Sequence, residues 1–327
     1  MLVREVEQMV LRRTVLAAGL ARIASGPLRA LQVAIEPRTK PAPKDDLTSG
    51  RPTLRVDTSL VLIPVPVSDR LNRPVTGLEK ENFRVSDDLV EQTITHFAMD
   101  DAPVAVGLVF DTSGSMGDKL QRSRMAAAEF FRTSNPEDEF FLVEFDSSPR
   151  LEVPLTQDVG RIETQLTFSR SKGSTALLDA IYLALHEMRR SAKNKKALLI
   201  ISDGGDNHSR YTAAEVHNVV VESDVLIYAI GVFGGGMGSP EEYGGPGLLG
   251  RVAEQTGGRL FEARAVELPN IAEKIGVDLR NRYVLGYSPP NQVRDGHYHR
   301  VQVRVVPPRG LPPLRAHWRL GYYAPLQ

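Results

Sequence analysis

The chain of 327 residues contains no cysteine. That excludes disulfides, thiolate metal sites and cysteine nucleophiles, and it leaves the compartment open. Charge of one sign is also lacking, with 40 Lys and Arg against 40 Asp and Glu. Bulk charge therefore argues neither for nucleic acid nor for an anionic membrane surface. Long hydrophobic runs are absent as well. The apolar stretch Ala17-Ala-Gly-Leu-Ala21 follows Arg12-Arg13 and is interrupted by Arg22 and Arg29. It is too short to span a bilayer as a helix, and nothing later reads as a transmembrane segment. With its paired arginines it has the form of a short export signal, although a frayed amphipathic leader fits the same residues. Residues 1–35 are accordingly a candidate leader, starting at Met1 or Met9. A cleaved signal would place the protein in the periplasm or outside the cell, and a plain leader would leave it cytoplasmic.

What is present is enough for one large domain or two smaller ones, with a real core. Residues 36–53 are rich in proline and charge and read as a linker. From Leu54 the pattern turns strand-like. Val61, Ile63, Val65 and Val67 share one face and Leu60, Leu62, Pro64 and Pro66 the other, the prolines pointing to an edge strand or bulge. Phe83 to Phe97 reads as a hairpin turning at Ser86-Asp-Asp88, and short strands at this spacing suggest a small β-sandwich. After residue 100 strands alternate with helical patterns, which predicts a parallel sheet with helices on both sides. Helices are expected over 119–133, with Met125 on the apolar face, and over 174–190, opened by a Ser-Thr cap after Gly173. Others are expected over 212–223, 247–256 and 267–282. Strands are expected over 139–145, 150–153, 197–202, 225–232 and 259–262, the first two as an antiparallel pair. From Tyr283 the chain returns to strands, at 283–287, 299–306 and 315–322. The expectation is one β-domain, residues 54–100 and 283–327, split by an inserted α/β domain over 101–282.

The chemistry concentrates where core strands end. Seven apolar residues, Val104 to Phe110, suit a strand buried on both faces, and Asp111-Thr-Ser-Gly-Ser115 follows directly. Two further segments offer oxygen donors: Gly173-Ser-Thr175 and Ile201-Ser-Asp203-Gly-Gly205. Alternating hydroxyls at Ser113 and Ser115 can face one point, and Thr175 can join them. Asp111 and Asp203 should leave neighbouring strands at the switch point of an open α/β sheet. Two carboxylates so placed repel unless a cation lies between them. Hard oxygen donors suit magnesium, which binds few carboxylates and keeps several waters.

DxSxS after a buried strand, then a Gly-Ser-Thr threonine, then a Ser-Asp-Gly aspartate resembles the metal-ion-dependent adhesion site of von Willebrand factor type A (VWA) domains. The resemblance covers roughly residues 102–282. It implies a doubly wound, mostly parallel Rossmann-like sheet, here inserted in a small β-sandwich-like domain. It also implies that Ser113, Ser115 and Thr175 are hydroxyl ligands of Mg2+, with Mn2+ or Ca2+ as alternatives. Asp111 and Asp203 would bind directly or through water. The partner implied is a protein whose acidic residue completes the metal shell, and the last helix, 267–282, would shift when the site fills. The flanks, with Tyr283-Val-Leu-Gly-Tyr287 and Arg319-Leu-Gly-Tyr-Tyr323, resemble a bacterial VWFA-related subfamily in which a β-rich segment precedes the A domain. Oligomeric state is not readable from the residues.

Weaker signals stand beside these. The glycine-rich stretch 234–247 should emerge on the metal's face, but without lysine or phosphate-loop spacing it is a rim or a plain loop. Asp146, Asp206 and Asn207 read as solvated polar residues, with support of the site's ligands as the alternative, and His297 and His299 as exposed strand histidines, with a histidine metal site as the alternative. Two other functions compete with a non-enzymatic binding module. One is a magnesium-dependent phosphatase of the haloacid dehalogenase type, using Asp111, Thr175, Lys195 or Lys196, Asp203 and Asp206. Its second aspartate is replaced by Ser113, so the general acid is missing. The other is a structural assembly protein working through edge strands of the β-domain.

Overall fold

Residues that alternate inward in the sequence decide the layers of the molecule. The computed structural model describes residues 60–233, 240–262, 267–289 and 296–324. The leader, the linker, the start of the first β-segment and residues 234–239 of the glycine-rich stretch lie outside the described residues.

Strand β1 (Val61–Ser68) buries Ile63, Val65 and Val67. β2 (Phe83–Asp87), β3 (Val90–Gln92) and β4 (His96–Asp100) follow. The α/β part begins at β5 (Val104–Asp111), all of whose residues are buried. It continues through α1 (Leu120–Phe131), β6 (Glu139–Phe145), β7 (Pro149–Thr156), α2 (Val159–Phe168) and α3 (Leu177–Met188). β8 (Lys195–Ser202), α4 (Ala213–Glu222), β9 (Leu226–Gly231), α5 (Pro240–Gln255), β10 (Leu260–Glu262) and α6 (Leu268–Arg280) complete it. The chain ends in β11 (Arg282–Tyr287), β12 (Tyr298–Val305), β13 (Arg315–Ala316) and β14 (Gly321–Tyr323).

The central sheet runs β10-β9-β8-β5-β6-β7. All its pairings are parallel except β6 with β7. Alternate residues of β5 feed two cores. Val106, Leu108 and Phe110 pack with α1, α2 and α6, while Ala105 and Val109 pack with α3, α4 and α5. Burying each large apolar side chain contributes roughly 2 kcal/mol, so a strand covered on both faces is a strongly fixed platform. Sequence order reverses between β5 and β8, where the expected switch point lies.

Two antiparallel sheets, β13-β1-β11-β4 and β14-β12-β2-β3, share the third core. Each mixes strands from before and after the α/β part, so a Rossmann-like, mostly parallel sheet is inserted in a β-sandwich. The insertion is closed by pairing of Arg282 with Asp100 in β11 and β4.

Several details differ from the sequence reading. β1 is an internal strand, not an edge. Its second neighbour pairs only at Val67 and Ser68, so Pro64 meets no ladder on that side, and Pro66, which has no N–H to give, only accepts there from His317 N–H at 3.1 Å. The β2–β3 turn falls at Asp88-Leu89, with φ of 46° and 69°, and shares only Asp88 with the expected turn over 86–88. α2 has no counterpart in the sequence reading, and the last expected strand is two short ones. Met125 is 54% exposed, because Ala126, Ala127 and Phe130 form the inward stripe of α1. α3 starts at Leu177 with Ala176 as N-cap and no side-chain cap, so Thr175 precedes the helix instead of capping it. Within the glycine-rich stretch, α5 already begins at Pro240.

Candidate functional site

The loops that leave the C-terminal ends of β5 and β8 and the loop between α2 and α3 are laced together by backbone hydrogen bonds. After β5 the chain makes a short 3-10 turn, Gly114–Met116. Gly114 N–H donates to Gly173 O at 3.0 Å and Lys172 N–H to Thr112 O at 2.8 Å, while the Ser171 hydroxyl donates to Ser113 O. The loop before α3 is thereby fastened onto DxSxS. Gly173 has φ of 74°, and a Cβ there would lie 2.6 Å from Ser147 Oγ. Only glycine allows that turn and that approach.

Asp111 and Asp203 leave adjacent strands, as expected. Asp111 is fully buried. Its Oδ1 accepts from Ser113 N–H at 2.8 Å and its Oδ2 from the Ser202 hydroxyl at 2.5 Å. Burial, followed by the negative charge of Asp203, pushes its carboxyl up to about 7. Asp203 is 1% exposed. Its Oδ2 accepts from Lys119 Nζ at 3.0 Å, whereas its Oδ1 is buried without a hydrogen-bond partner. Ser113 Oγ and Ser115 Oγ lie 3.1 Å apart; Ser113 is buried and Ser115 is exposed.

Thr175 is buried on the loop bonded to DxSxS. Its N–H donates to Asn207 Oδ1 at 2.9 Å, and its carbonyl accepts from the N–H groups of Asn207 and His208 at 3.0 Å. The structure thus brings Asp111, Ser113, Ser115 and Asp203 to one sheet end and carries Thr175 on a loop tied to both neighbours.

Sequence reasoning undervalued the residues that do the tying. Asp206 accepts from Leu178 N–H and the Ser209 hydroxyl, so it and Asn207 organise the third loop and are not merely solvated. Asp146 is buried and paired with Arg150 at 2.9 Å, and its carbonyl accepts from Ala176 N–H. Arg150, which holds Asp146's charge, keeps that carboxyl below its usual range despite burial. Lys119 was missed altogether. It stands at the entry to α1 and meets Asp203, 84 positions further on, only in the folded chain.

The donor set fits a hard divalent cation. It consists of two carboxylates and hydroxyls, one carboxylate oxygen lacks a donor, and like charges face each other across two buried strand ends. The set does not fit phosphatase chemistry. Ser113 stands where a second aspartate would serve as general acid, and Lys195 starts the strand that Asp203 follows, about 25 Å away at strand rise. Lys195 instead donates to Asp100 O at 2.7 Å.

The comparisons agree on the class. Residues 106–205, which contain all five candidate ligands, match the von Willebrand factor type A domain family. Fold and matched segment together define a protein built around a VWA-type α/β fold. Cuticlin-6 of Caenorhabditis elegans is 28% identical over 161 residues, 46% of this chain and 27% of that protein. Inter alpha-trypsin inhibitor heavy chain 4 of Mus musculus is 25% identical over 148 residues, 40% of this chain and 15% of that protein. The chain therefore matches about a quarter or less of the length of these relatives. A von Willebrand factor type A structure from Catenulispora acidiphila is similar at 12% identity and TM-score 0.47, covering 83% of this chain and 75% of that one.

Proposed function

We propose that this protein is a divalent-metal-dependent protein-binding module. Asp111, Ser113, Ser115, Thr175 and Asp203 would hold Mg2+, with Mn2+ or Ca2+ suited to the same oxygens. When bound, the ion supplies a Lewis-acidic position that a partner's carboxylate can occupy. The observation that carries the reading is Asp203 Oδ1, buried without a donor beside an Asp111 carboxylate that resists ionisation. A buried pair of that kind is unfavourable alone and favourable around a cation.

The chain's own residues set the conditions of binding. Ser202 and the Ser113 N–H orient Asp111, Asn207 fixes the Thr175 loop, and the exposed Ser115 marks the side from which a partner reaches the site. Lys119 supplies the positive charge that balances Asp203, so an arriving cation competes with its ammonium. On this reading residues 101–282 are the working domain and residues 54–100 with 283–327 its β-scaffold. Residues 1–35 and 36–53 serve as leader and linker, with export delivering the protein to its partner. No helix among the described residues is long and apolar enough to cross a membrane.

Calorimetric titration of MgCl2 or MnCl2 into wild type and Asp111→Ala tests the proposal. Binding by the wild type that disappears in the variant is expected. Equal binding in both, or none in either, removes the metal site. Partner capture should then require the ion, fail with chelator and fail in Asp203→Ala while circular dichroism stays unchanged.

A further inference from the structure

A second set of convergent side chains lies in the β-sandwich, on β2, its turn and β12. Sequence pairing puts it there. Val301 stands opposite Asp87. Asp88 N–H donates to Arg300 O, and Arg300 N–H donates back to Asp88 Oδ1, both at 2.9 Å. That exchange clamps the positive-φ turn against β12 and brings His299 beside both aspartates. One ligand atom each from Asp87, Asp88 and His299 lies within 4.8 Å of the others. His299 Nδ1 is 2.9 Å from Asp88 Oδ2 and 3.9 Å from Asp87 Oδ1. Ligands bound about 2.1 Å from a common ion stand roughly 3 to 4 Å apart, so this spacing needs little adjustment.

The hydrogen bonds divide each carboxylate into a held oxygen and an offered one. Asp87 Oδ2 accepts from the Tyr287 and Tyr322 hydroxyls, both at 2.9 Å, and Asp88 Oδ1 accepts from Arg300 N–H. Asp88 Oδ2 and Asp87 Oδ1 remain on the imidazole side. Asp87 is only 6% exposed, yet its Oδ1 has no hydrogen-bond donor. A buried carboxylate oxygen left bare costs about 1–3 kcal/mol unless something positive meets it. Metal-binding carboxylates are held through their other oxygen in this way. The Tyr322 ring stacks on the His299 ring at 5.5 Å and 19°, which fixes the imidazole plane.

We propose that Asp87, Asp88 and His299 form a second divalent-metal site, independent of the VWA-type site. One imidazole nitrogen with two carboxylate oxygens selects a transition-metal ion such as Zn2+ or Mn2+ over Mg2+, which prefers oxygen alone. The ion would bridge the β2–β3 hairpin to β12, joining the parts of the sandwich that precede and follow the α/β insertion. The competing account of the same geometry is an ion pair of His299 with the two carboxylates.

The test is calorimetry with ZnCl2 near neutral pH on the full chain carrying Asp111→Ala and Asp203→Ala, which silences the sheet-end loops. One ion should bind this protein and raise its melting temperature, as any ligand confined to the folded state does. Adding His299→Gln should weaken the ion by at least about tenfold and shrink the thermal shift accordingly. If circular dichroism shows that variant unfolded, Asp88→Asn, at the half-exposed turn, takes its place with the same expected loss. Absence of zinc binding in the first protein overturns the site in favour of the ion pair. Equal binding after His299→Gln or Asp88→Asn overturns it too, because the ion then sits elsewhere.

Discussion

At the residue scale, Lys119 gives the sharpest handle on the sheet-end site. Its ammonium donates to Asp203 Oδ2 at 3.0 Å and only 14% of its side chain is exposed, so solvent screens the pair weakly. Lys119→Met should therefore raise Mg2+ or Mn2+ affinity by about tenfold, the effect of removing a competing charge worth roughly 1.4 kcal/mol. Calorimetry of the two proteins side by side checks this, and unchanged affinity would show that the lysine does not compete. The five candidate ligands were legible in the sequence because they are short oxygen-bearing side chains spaced around glycine at strand ends. Lys119 and Asn207 were not, because their roles depend on where a helix entry and a distant loop fold back. A long flexible lysine carries no spacing signature, and Asn207 acts through one backbone N–H. His299 shows the same limit. Strand alternation favoured an exposed residue over a histidine metal site, and only the β12–β2 pairing put two aspartates beside it.

At the element scale, β5 is the piece whose tolerances are tightest. Gly107 stands opposite Phe141 and Leu198 on the neighbouring strands. A Cβ there would fall 2.2 Å from Phe141 Cζ and 2.6 Å from Leu198 Cδ2. Gly107→Ala should destabilise the fold by about 2 kcal/mol through overpacking, read as a lower urea midpoint with the same m-value. α6 is held differently. Asp278 pairs with Arg259 inside the protein, and Arg280 bonds Asp138 at 2.7 Å at the helix end. A helix anchored by two polar pairs slides only if both exchange partners. Amide exchange in α6 is therefore expected to stay the same when metal alone is added, and faster exchange would show that filling the site loosens those anchors. Helices and strands with strong apolar periodicity were readable in advance. α2 was not, since its ten residues bury only Ile162 and Leu166, and β1 looked like an edge because its prolines announced a missing ladder and not which side lacked it.

At the scale of the whole molecule, the β-sandwich and the α/β part meet through groups that respond to acid. Burial, helped by Arg259 and Arg315, lowers the His317 imidazole from 6.5 to about 4. In the unfolded chain this histidine takes up a proton below pH 6.5, and in the folded protein it does so only near 4. Stability linked to it is therefore fully present above the upper value and lost progressively as pH falls between the two. The loss is on the order of 2 kcal/mol, allowing for partial solvent access. His317→Gln should flatten that part of the stability–pH curve in urea titrations, and an unchanged curve would assign the slope to the carboxylates. Separately, Arg259 reaches Ser68 and Asn72 from the α/β side at 3.3 Å. Residues 101–282 expressed alone should thus fold with a lower melting temperature than the full chain, and a fragment that stays unfolded would reject that domain boundary.

The pairing of Asp100 with Arg282 also orders events in time. Joining β4 to β11 in an unfolded chain means closing a loop of nearly two hundred residues, and both sandwich sheets wait on such long-range contacts. Once the central sheet has formed, its two ends emerge side by side and the loop is effectively short. The α/β part should then fold first and the sandwich last. During synthesis β1 to β4 leave the ribosome with their inward valines and Phe83 unpaired until the final strands arrive. Slow translation before residue 282, or a lesion in the central sheet, would lengthen that exposure and show itself as aggregation and not as loss of metal affinity.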